Sequence, residues 1–126
     1  MNPEYDFDDL KAACGEKGKV TVWRPALRDA AEHFNLRKES DVLSFVANDG
    51  LEKKKYINTK PLEVAPDPKP PVDAYEFYSG ERRGYFAFFF QPLTNIWNIK
   101  SFKPHSQGDD RYFPFADLGK LLGQQS

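Results

Sequence analysis

The chain has 126 residues, of which 40% are hydrophobic, and its formal net charge is −1. This length fits one domain with enough apolar side chains for a core, so we expect a single domain over residues 1–126. A net charge near zero argues against a protein that coats nucleic acid nonspecifically, because such affinity grows with the number of phosphates neutralised. The sequence has no apolar run of about 18 residues and no signal-peptide pattern, which predicts a cytoplasmic protein with no membrane partner.

The cysteine and histidine content limits the chemistry of the chain. One cysteine, Cys14, excludes an internal disulfide and a cysteine-based metal cluster. We interpret Cys14 as a small buried residue on a helix rather than as a nucleophile. The two histidines, His33 and His105, do not form a metal-ligand spacing. The sequence therefore predicts neither a metal site nor a cofactor.

The charges are unevenly distributed along the chain. Residues 1–17 carry five acids against two lysines. Residues 53–60 carry four lysines and no acid, and residues 82–105 carry four lysines or arginines and no acid. The balanced total therefore hides two basic patches, which favours an anionic ligand.

The first half of the chain has the signals of three helices and a strand. Asp6 is a suitable N-cap, and Gly15 ends the helical pattern that follows it. The alternating residues 19–23 predict a short strand. Pro25 begins a second amphipathic helix. Ser40 and Asp41 begin a third, which ends at residues 48–50.

The second half predicts a sheet. Residues 61–71 contain five of the ten prolines, which indicates an extended connection within the domain or, alternatively, a docking loop. Residues 73–78 and the hairpin over 82–103 then predict a three-stranded antiparallel meander.

The alternation in the first hairpin strand separates two faces of this sheet. The core face has Gly84, Phe86, Phe88 and Phe90, and the other has Arg83, Tyr85, Ala87, Phe89 and Gln91. In the last strand neither face is cleanly apolar, so the alternation does not decide whether Lys100 or Lys103 lies beside Tyr85. The fold class is α+β, with N-terminal helices packed on a small curved antiparallel sheet and a short amphipathic C-terminal helix. The apolar residues of that last helix are Phe115, Leu118, Leu121 and Leu122.

Several segments occur in an order that resembles a known family. They are GKVTVWRPALRDAAEHFNL (18–36), DVLSFV (41–46), Lys53 to Tyr56, DAYEF (73–77), Gly84-Tyr85 and Ser101-Phe102-Lys103. Over roughly residues 7–105 this order resembles the MqsR family of bacterial toxins. The resemblance implies a RelE-like fold and the toxin of a type II toxin–antitoxin pair, an endoribonuclease that cleaves mRNA either free or on the ribosome. It also implies a cognate antitoxin as partner.

The resemblance implies three catalytic residues. The family's active-site lysine corresponds to Lys55 or a neighbouring lysine, its tyrosine to Tyr85 and its C-terminal lysine to Lys103. The family's glutamine falls at Val72, where Gln91 or Glu76 are possible substitutes. The basic residues near these positions are candidates for RNA binding: Lys53, Lys54, Arg82, Arg83, Lys100 and His105.

Cleavage of RNA without a metal uses the substrate's own 2′-hydroxyl as nucleophile, so the protein must move two protons and stabilise a phosphorane. Lys55, Arg83 and Lys103 are candidates for the second task. Tyr85 is a candidate proton shuttle if neighbouring cations lower its pKa from about 10. Tyr78 or Phe89 are candidates for stacking on bases.

Each of these residues also has an ordinary structural interpretation. Tyr85 fits a half-buried sheet position. The three lysines at 53–55 fit a solvated face, and Arg82-Arg83 fits an exposed strand edge protected against aggregation. The alternative function is therefore a non-catalytic protein-binding toxin or inhibitor with a RelE-like fold, which Val72 and the proline-rich segment favour.

Overall fold

The computed structural model describes residues 2–105, so the predicted C-terminal helix lies outside the described residues. The helices are α1 (Phe7–Cys14), α2 (Arg24–Phe34) and α3 (Glu39–Ala47). The strands are β1 (Val20–Val22), β2 (Glu52–Pro61), β3 (Pro71–Ser79), β4 (Arg82–Gln91) and β5 (Ile96–Pro104). The α+β class is confirmed.

Local capping signals define the helix ends. The Asp6 carboxylate accepts a hydrogen bond from the Asp8 N–H at 2.9 Å, and the Gly15 N–H bonds back to α1, as predicted. Helix α2 has Pro25 in its first turn and ends at Asn35, whose φ of 60° is left-handed. In α3, Asp41 is the N3 residue, and its carboxylate accepts the Lys38 N–H at 3.1 Å, so the helix begins at Glu39.

The sheet has five strands in the order β1-β5-β4-β3-β2. It is a mixed sheet, so the prediction of an antiparallel sheet is wrong. Strand β1 runs parallel to β5, and the other neighbours are antiparallel. The basic segment after α3 forms edge strand β2, which the sequence analysis did not predict as a strand. Pro61 is tolerated because it ends an edge strand.

The inner face of the sheet carries the main core, as the alternation in β4 predicted. Phe86 and Phe88 are fully buried, and Phe90 packs on Trp97 with ring centroids 5.0 Å apart. The three helices cover this face. The core residues they contribute are Leu10, Ala13, Cys14, Ala26, Ala30, Val42 and Val46.

Gly84 lies on this face where the sheet has no room for a side chain. A Cβ at Gly84 would come within 2.3 Å of two atoms of the Phe77 ring, which is fully buried. The ring packs on Phe102 at 5.3 Å and on Phe34 at 5.7 Å, so it cannot move without disturbing the core.

We therefore expect Gly84→Ala to lower the free energy of unfolding by about 1–3 kcal/mol through overpacking. Urea denaturation followed by circular dichroism measures the change. Gly80→Ala is the comparison in which overpacking plays no part, because no atom lies within 4 Å of the added Cβ. Any loss of stability there comes from the backbone strain of a φ of 63°. Gly84→Ala with wild-type stability would mean that the Phe77 ring repacks freely.

The outer face has a second, smaller apolar cluster. Leu62, from the proline-rich connection, packs on Val72, Ala74, Ala87 and Phe89. Phe89 is only 2% exposed, so the expectation that it stacks on bases is wrong. The proline-rich connection thus covers part of the outer face and leaves the rest accessible.

No helix in the described part of the chain is long and apolar enough to cross a bilayer.

Candidate functional site

Four polar side chains form a transverse row on the uncovered part of the outer face. Lys55 of β2 pairs with Glu76 of β3, Glu76 pairs with Tyr85 of β4, and Tyr85 pairs with Lys103 of β5. Since neighbouring strands lie about 4.8 Å apart, the row spans roughly 14 Å. The three residues that the resemblance implied as catalytic therefore lie in one line, with Glu76 between two of them. We call Lys55, Glu76, Tyr85 and Lys103 the polar row.

An irregularity in β2 decides which of the three consecutive lysines belongs to the row. Two residues of β2, Lys53 and Lys54, lie between Glu52 and Lys55 opposite one residue of β3, and Lys53 has a φ of 53°. Lys53 Nζ lies 5.8 Å from the centroid of the Tyr78 ring. Lys54 Nζ lies 4.8 Å from the centroid of the Phe7 ring, on the face covered by helices. Lys55 is therefore the lysine of the row, and Lys54 lies on the opposite face.

A bulge in the last strand, β5, decides on which face of the sheet Lys100 and Lys103 lie. Ala87 pairs with Ser101 and Phe88 pairs with Ile99, which leaves Lys100 as an extra residue. The bulge interrupts the alternation, so that Ile99 and Phe102, which are three residues apart, are both buried in the inner core. Lys100 and Lys103 both lie on the outer face as a result.

Glu76 is the electrostatic centre of the row. Its carboxylate forms an ion pair with Arg83, in which Nη2 donates a hydrogen bond to Oε1 at 3.2 Å and Nε lies 3.2 Å from Oε2. His105 Nε2 lies 3.8 Å from Oε1 of the same carboxylate. These two partners and its burial hold the Glu76 side chain, which is only 14% exposed, in place. The site thus pairs a fixed carboxylate with a guanidinium and an imidazole.

Tyr85 lies between two cationic or titratable groups. Lys103 Nζ is 5.3 Å from the centroid of its ring, and the ring of His105 is 5.7 Å away. Burial raises the pKa of the Tyr85 phenol above its ordinary value, which contradicts the expected lowering by neighbouring cations. Tyr85 is therefore a neutral hydrogen-bond donor near pH 7 rather than a phenolate base.

The other predicted residues do not join the row. The Arg82 guanidinium donates to the backbone carbonyl of His33, at the end of α2. Val72 is buried in the outer apolar cluster. Of its two suggested substitutes, Glu76 lies in the row, whereas Gln91 lies at the far end of β4. Glu76 is thus the substitute that the strand pairing favours.

Two adjoining cavities lie beside the row, around the proline-rich connection. The smaller has about 460 Å³ and is lined by Tyr85 of the row together with Trp23, Asn58, Lys60, Leu62 and Lys100. The larger has about 700 Å³, shares Trp23, Leu62 and Val64 with the first, and has no charged side chain in its lining. Neither cavity could be predicted from the sequence, because Leu62 and Trp23 meet only through tertiary packing.

Two groups away from the row do not extend it. Burial raises the pKa of the Cys14 thiol to about 12, which agrees with its interpretation as a core residue rather than a nucleophile. Asp29, Glu32 and His33 place one potential ligand atom each within 4.8 Å of one another on α2. This group is on the surface of the helix, and such groups are common without an ion.

The row and its neighbours supply a carboxylate, an imidazole, a neutral phenol and several cations on one surface. This set can accept one proton, donate another and neutralise an anion that gains charge. Neither the protein-family models, nor the curated proteins, nor the solved structures include a match to this chain.

Proposed function

We propose that this chain is a metal-independent endoribonuclease, the toxin of a type II toxin–antitoxin pair with a RelE-like fold that acts on mRNA in the cytoplasm. The observation that supports the proposal is the polar row, in which Lys55, Tyr85 and Lys103 are aligned with Glu76 by strand pairing. The resemblance selected three of these residues from the sequence. Their alignment on one accessible face is compatible with contact between all of them and a single RNA strand.

The reaction needs one proton removed and one supplied. The 2′-oxygen of the substrate attacks the adjacent phosphorus, the bond from phosphorus to the 5′-oxygen breaks, and a 2′,3′-cyclic phosphate forms. In this proposal Glu76 accepts the proton of the 2′-hydroxyl and protonated His105 donates a proton to the leaving 5′-oxygen. Histidine suits that role because its charge changes near neutral pH.

The phosphorane gains negative charge in the transition state, and nearby cations stabilise it. Lys55 and Lys103 flank Glu76 and Tyr85 in the row, and Arg83 is held by Glu76. Because Lys55 and Lys103 are exposed, each contributes less than the roughly 3 kcal/mol of a donor in a water-excluded site. The neutral phenol of Tyr85 adds a hydrogen bond to a phosphoryl oxygen.

A second function is favoured by one observation, the apolar character of the larger cavity. Val64 at its rim is 81% exposed, and edge strand β2 ends close by at Pro61. A partner protein that inserts an apolar side chain there would make this a non-catalytic binding toxin or inhibitor. A stoichiometric partner that survives ribonuclease treatment, together with absence of RNA cleavage, would favour this function over the first.

The direct test is incubation of the purified protein with end-labelled RNA in EDTA. We expect cleavage that leaves 2′,3′-cyclic phosphate ends, lowered at least tenfold in Lys55→Ala and Lys103→Ala. Lys17→Ala is the matched control, because Lys17 is an exposed lysine outside the row. Absence of cleavage by the wild-type protein on mRNA, with and without ribosomes, would refute the enzymatic proposal.

A further inference from the structure

The smaller cavity on the outer face has the composition of a site for a single nucleotide. We propose that it binds one unpaired nucleobase of an RNA strand, with the phosphates on the two sides of that nucleotide directed toward Lys60 and Lys100. The identification of the ligand as RNA rests on the proposed function. The inference adds a subsite and a preference for single strands, neither of which the polar row by itself requires.

The cavity is continuous with the polar row. Tyr85 belongs to the row and also lines the cavity, and Ser101 and Lys100 of the neighbouring strand line it as well. A strand whose phosphate lies at the row therefore has its neighbouring nucleotide at the mouth of the cavity. The volume of about 460 Å³ is within the range of small-ligand sites, roughly 300–1,000 Å³.

Trp23 gives the cavity a preoriented aromatic wall. Its Nε1–H donates to Asn98 Oδ1 at 3.1 Å, and its ring meets Phe89 edge to face, with centroids 5.8 Å apart and an interplanar angle of 88°. These contacts fix the indole before any ligand binds. An aromatic side chain that lines a cavity next to cations is the usual platform for base stacking in single-strand recognition.

The polar groups of the lining suit the rest of a nucleotide. Asn58 offers both amide donors and a carbonyl acceptor, and Ser101 a hydroxyl, which are suited to the edge of a base. Lys60 and Lys100 supply two positive charges against the single carboxylate of Glu63. The larger cavity shares Trp23 but has no charged lining, so an anionic ligand favours the smaller one.

A base that enters this cavity must be unstacked and unpaired. An A-form duplex holds its bases inside the helix, whereas single strands present them for stacking on side chains. The cavity therefore predicts binding of single-stranded RNA over duplex RNA of the same sequence.

The test is fluorescence anisotropy with 2′-O-methyl oligonucleotides, which lack the 2′-hydroxyl and cannot be cleaved. The four homopolymers and one duplex are compared. We expect at least tenfold tighter binding of one or more single strands than of the duplex.

Trp23→Leu should weaken that binding about tenfold and Trp23→Phe much less, because phenylalanine retains a stacking surface. Lys60→Ala should lower the slope of log Kd against log salt by about one. Lys17→Ala should leave the preference for single strands over the duplex unchanged.

Asn58→Ala keeps the proposal falsifiable if Trp23→Leu does not fold, because Asn58 is half-buried in β2 and packs in neither apolar cluster. It should weaken binding of the preferred homopolymer and reduce the difference among the four. Wild-type affinity in both Asn58→Ala and Lys60→Ala would overturn the proposal.

The same experiment separates the cavity from the proposed enzyme. Binding that depends on Trp23 and Asn58 in a protein that cleaves no RNA would support the cavity and refute the nuclease. Cleavage in EDTA with binding unchanged by all cavity substitutions would support the nuclease and refute the cavity proposal. Absence of binding to any oligonucleotide would overturn the cavity proposal and favour an apolar protein partner for this face.

Discussion

Glu76→Gln is expected to lower the rate of RNA cleavage by about 10²–10⁴-fold while RNA binding is retained or strengthened. Glutamine has nearly the same shape as glutamate and can still accept a hydrogen bond from Arg83, but its amide cannot take up the proton of the 2′-hydroxyl. The substitution also removes a negative charge from a surface with Lys55 and Lys103 on either side of it. Single-turnover cleavage in EDTA gives the rate, and anisotropy with uncleavable RNA gives the affinity.

Opposite effects on rate and affinity distinguish proton transfer from a structural role. Loss of the ion pair between Glu76 and Arg83 by misfolding would lower both quantities. Glu81→Gln is the control, because Glu81 is an exposed turn residue between β3 and β4. It removes the same charge at the rim of the sheet and should leave the rate unchanged. Wild-type cleavage by Glu76→Gln would assign the proton transfers to other groups and leave Glu76 as the residue that positions Arg83.

Features with local causes could be predicted from the sequence. Asp6 and Gly15 mark the ends of α1 through backbone hydrogen bonds within a few residues. In β4 the alternation assigned Phe86 and Phe88 to the core and Tyr85 to the other face, because side chains in an unbulged strand alternate strictly. These signals need no knowledge of where distant segments meet.

The remaining features depend on distant segments or on broken periodicity. The bulges at residues 53–54 of β2 and at Lys100 of β5 shift the alternation, so the direction of each lysine could not be read from spacing. The parallel pairing of β1 with β5 joins segments about 77 residues apart, as in Val20 with Trp97. Neither has a local signature.

The place of Glu76 in the site has the same origin. A single glutamate in a strand gives no sign of function in the sequence, and only the pairing of three strands places it between Lys55 and Tyr85. Its contacts with Arg83 and His105 come from β4 and from the end of β5. The resemblance selected catalytic candidates but left Val72 at the position of the family's glutamine, and the strand register places the carboxylate of Glu76 beside those candidates.

Asp73→Ala is expected to lower the free energy of unfolding by about 3–5 kcal/mol, the largest stability effect that we predict. Asp73 is the one charged residue that is fully buried among residues 2–105. Its carboxylate accepts hydrogen bonds from the Glu4 N–H at 3.0 Å, from the Tyr5 N–H at 2.9 Å and from the Thr59 hydroxyl. It thereby joins the segment before α1 to both β3 and β2. Alanine would remove the acceptor and leave these donors without it, two of them on the backbone.

Chemical denaturation followed by circular dichroism and by tryptophan fluorescence measures this effect. Asp67→Ala is the matched control, because Asp67 is exposed in the proline-rich connection, and its effect should stay within about 0.5 kcal/mol. Asp73 lies on the inner face, opposite Phe88, rather than on the face of the polar row. The fraction of Asp73→Ala that remains folded should therefore keep the wild-type rate of RNA cleavage. A loss of less than about 1 kcal/mol would show that water replaces the carboxylate and that other contacts hold the N-terminal segment, such as the hydrogen bonds from the Tyr5 hydroxyl to the Pro71 carbonyl and from the Tyr56 hydroxyl to the Asn2 carbonyl.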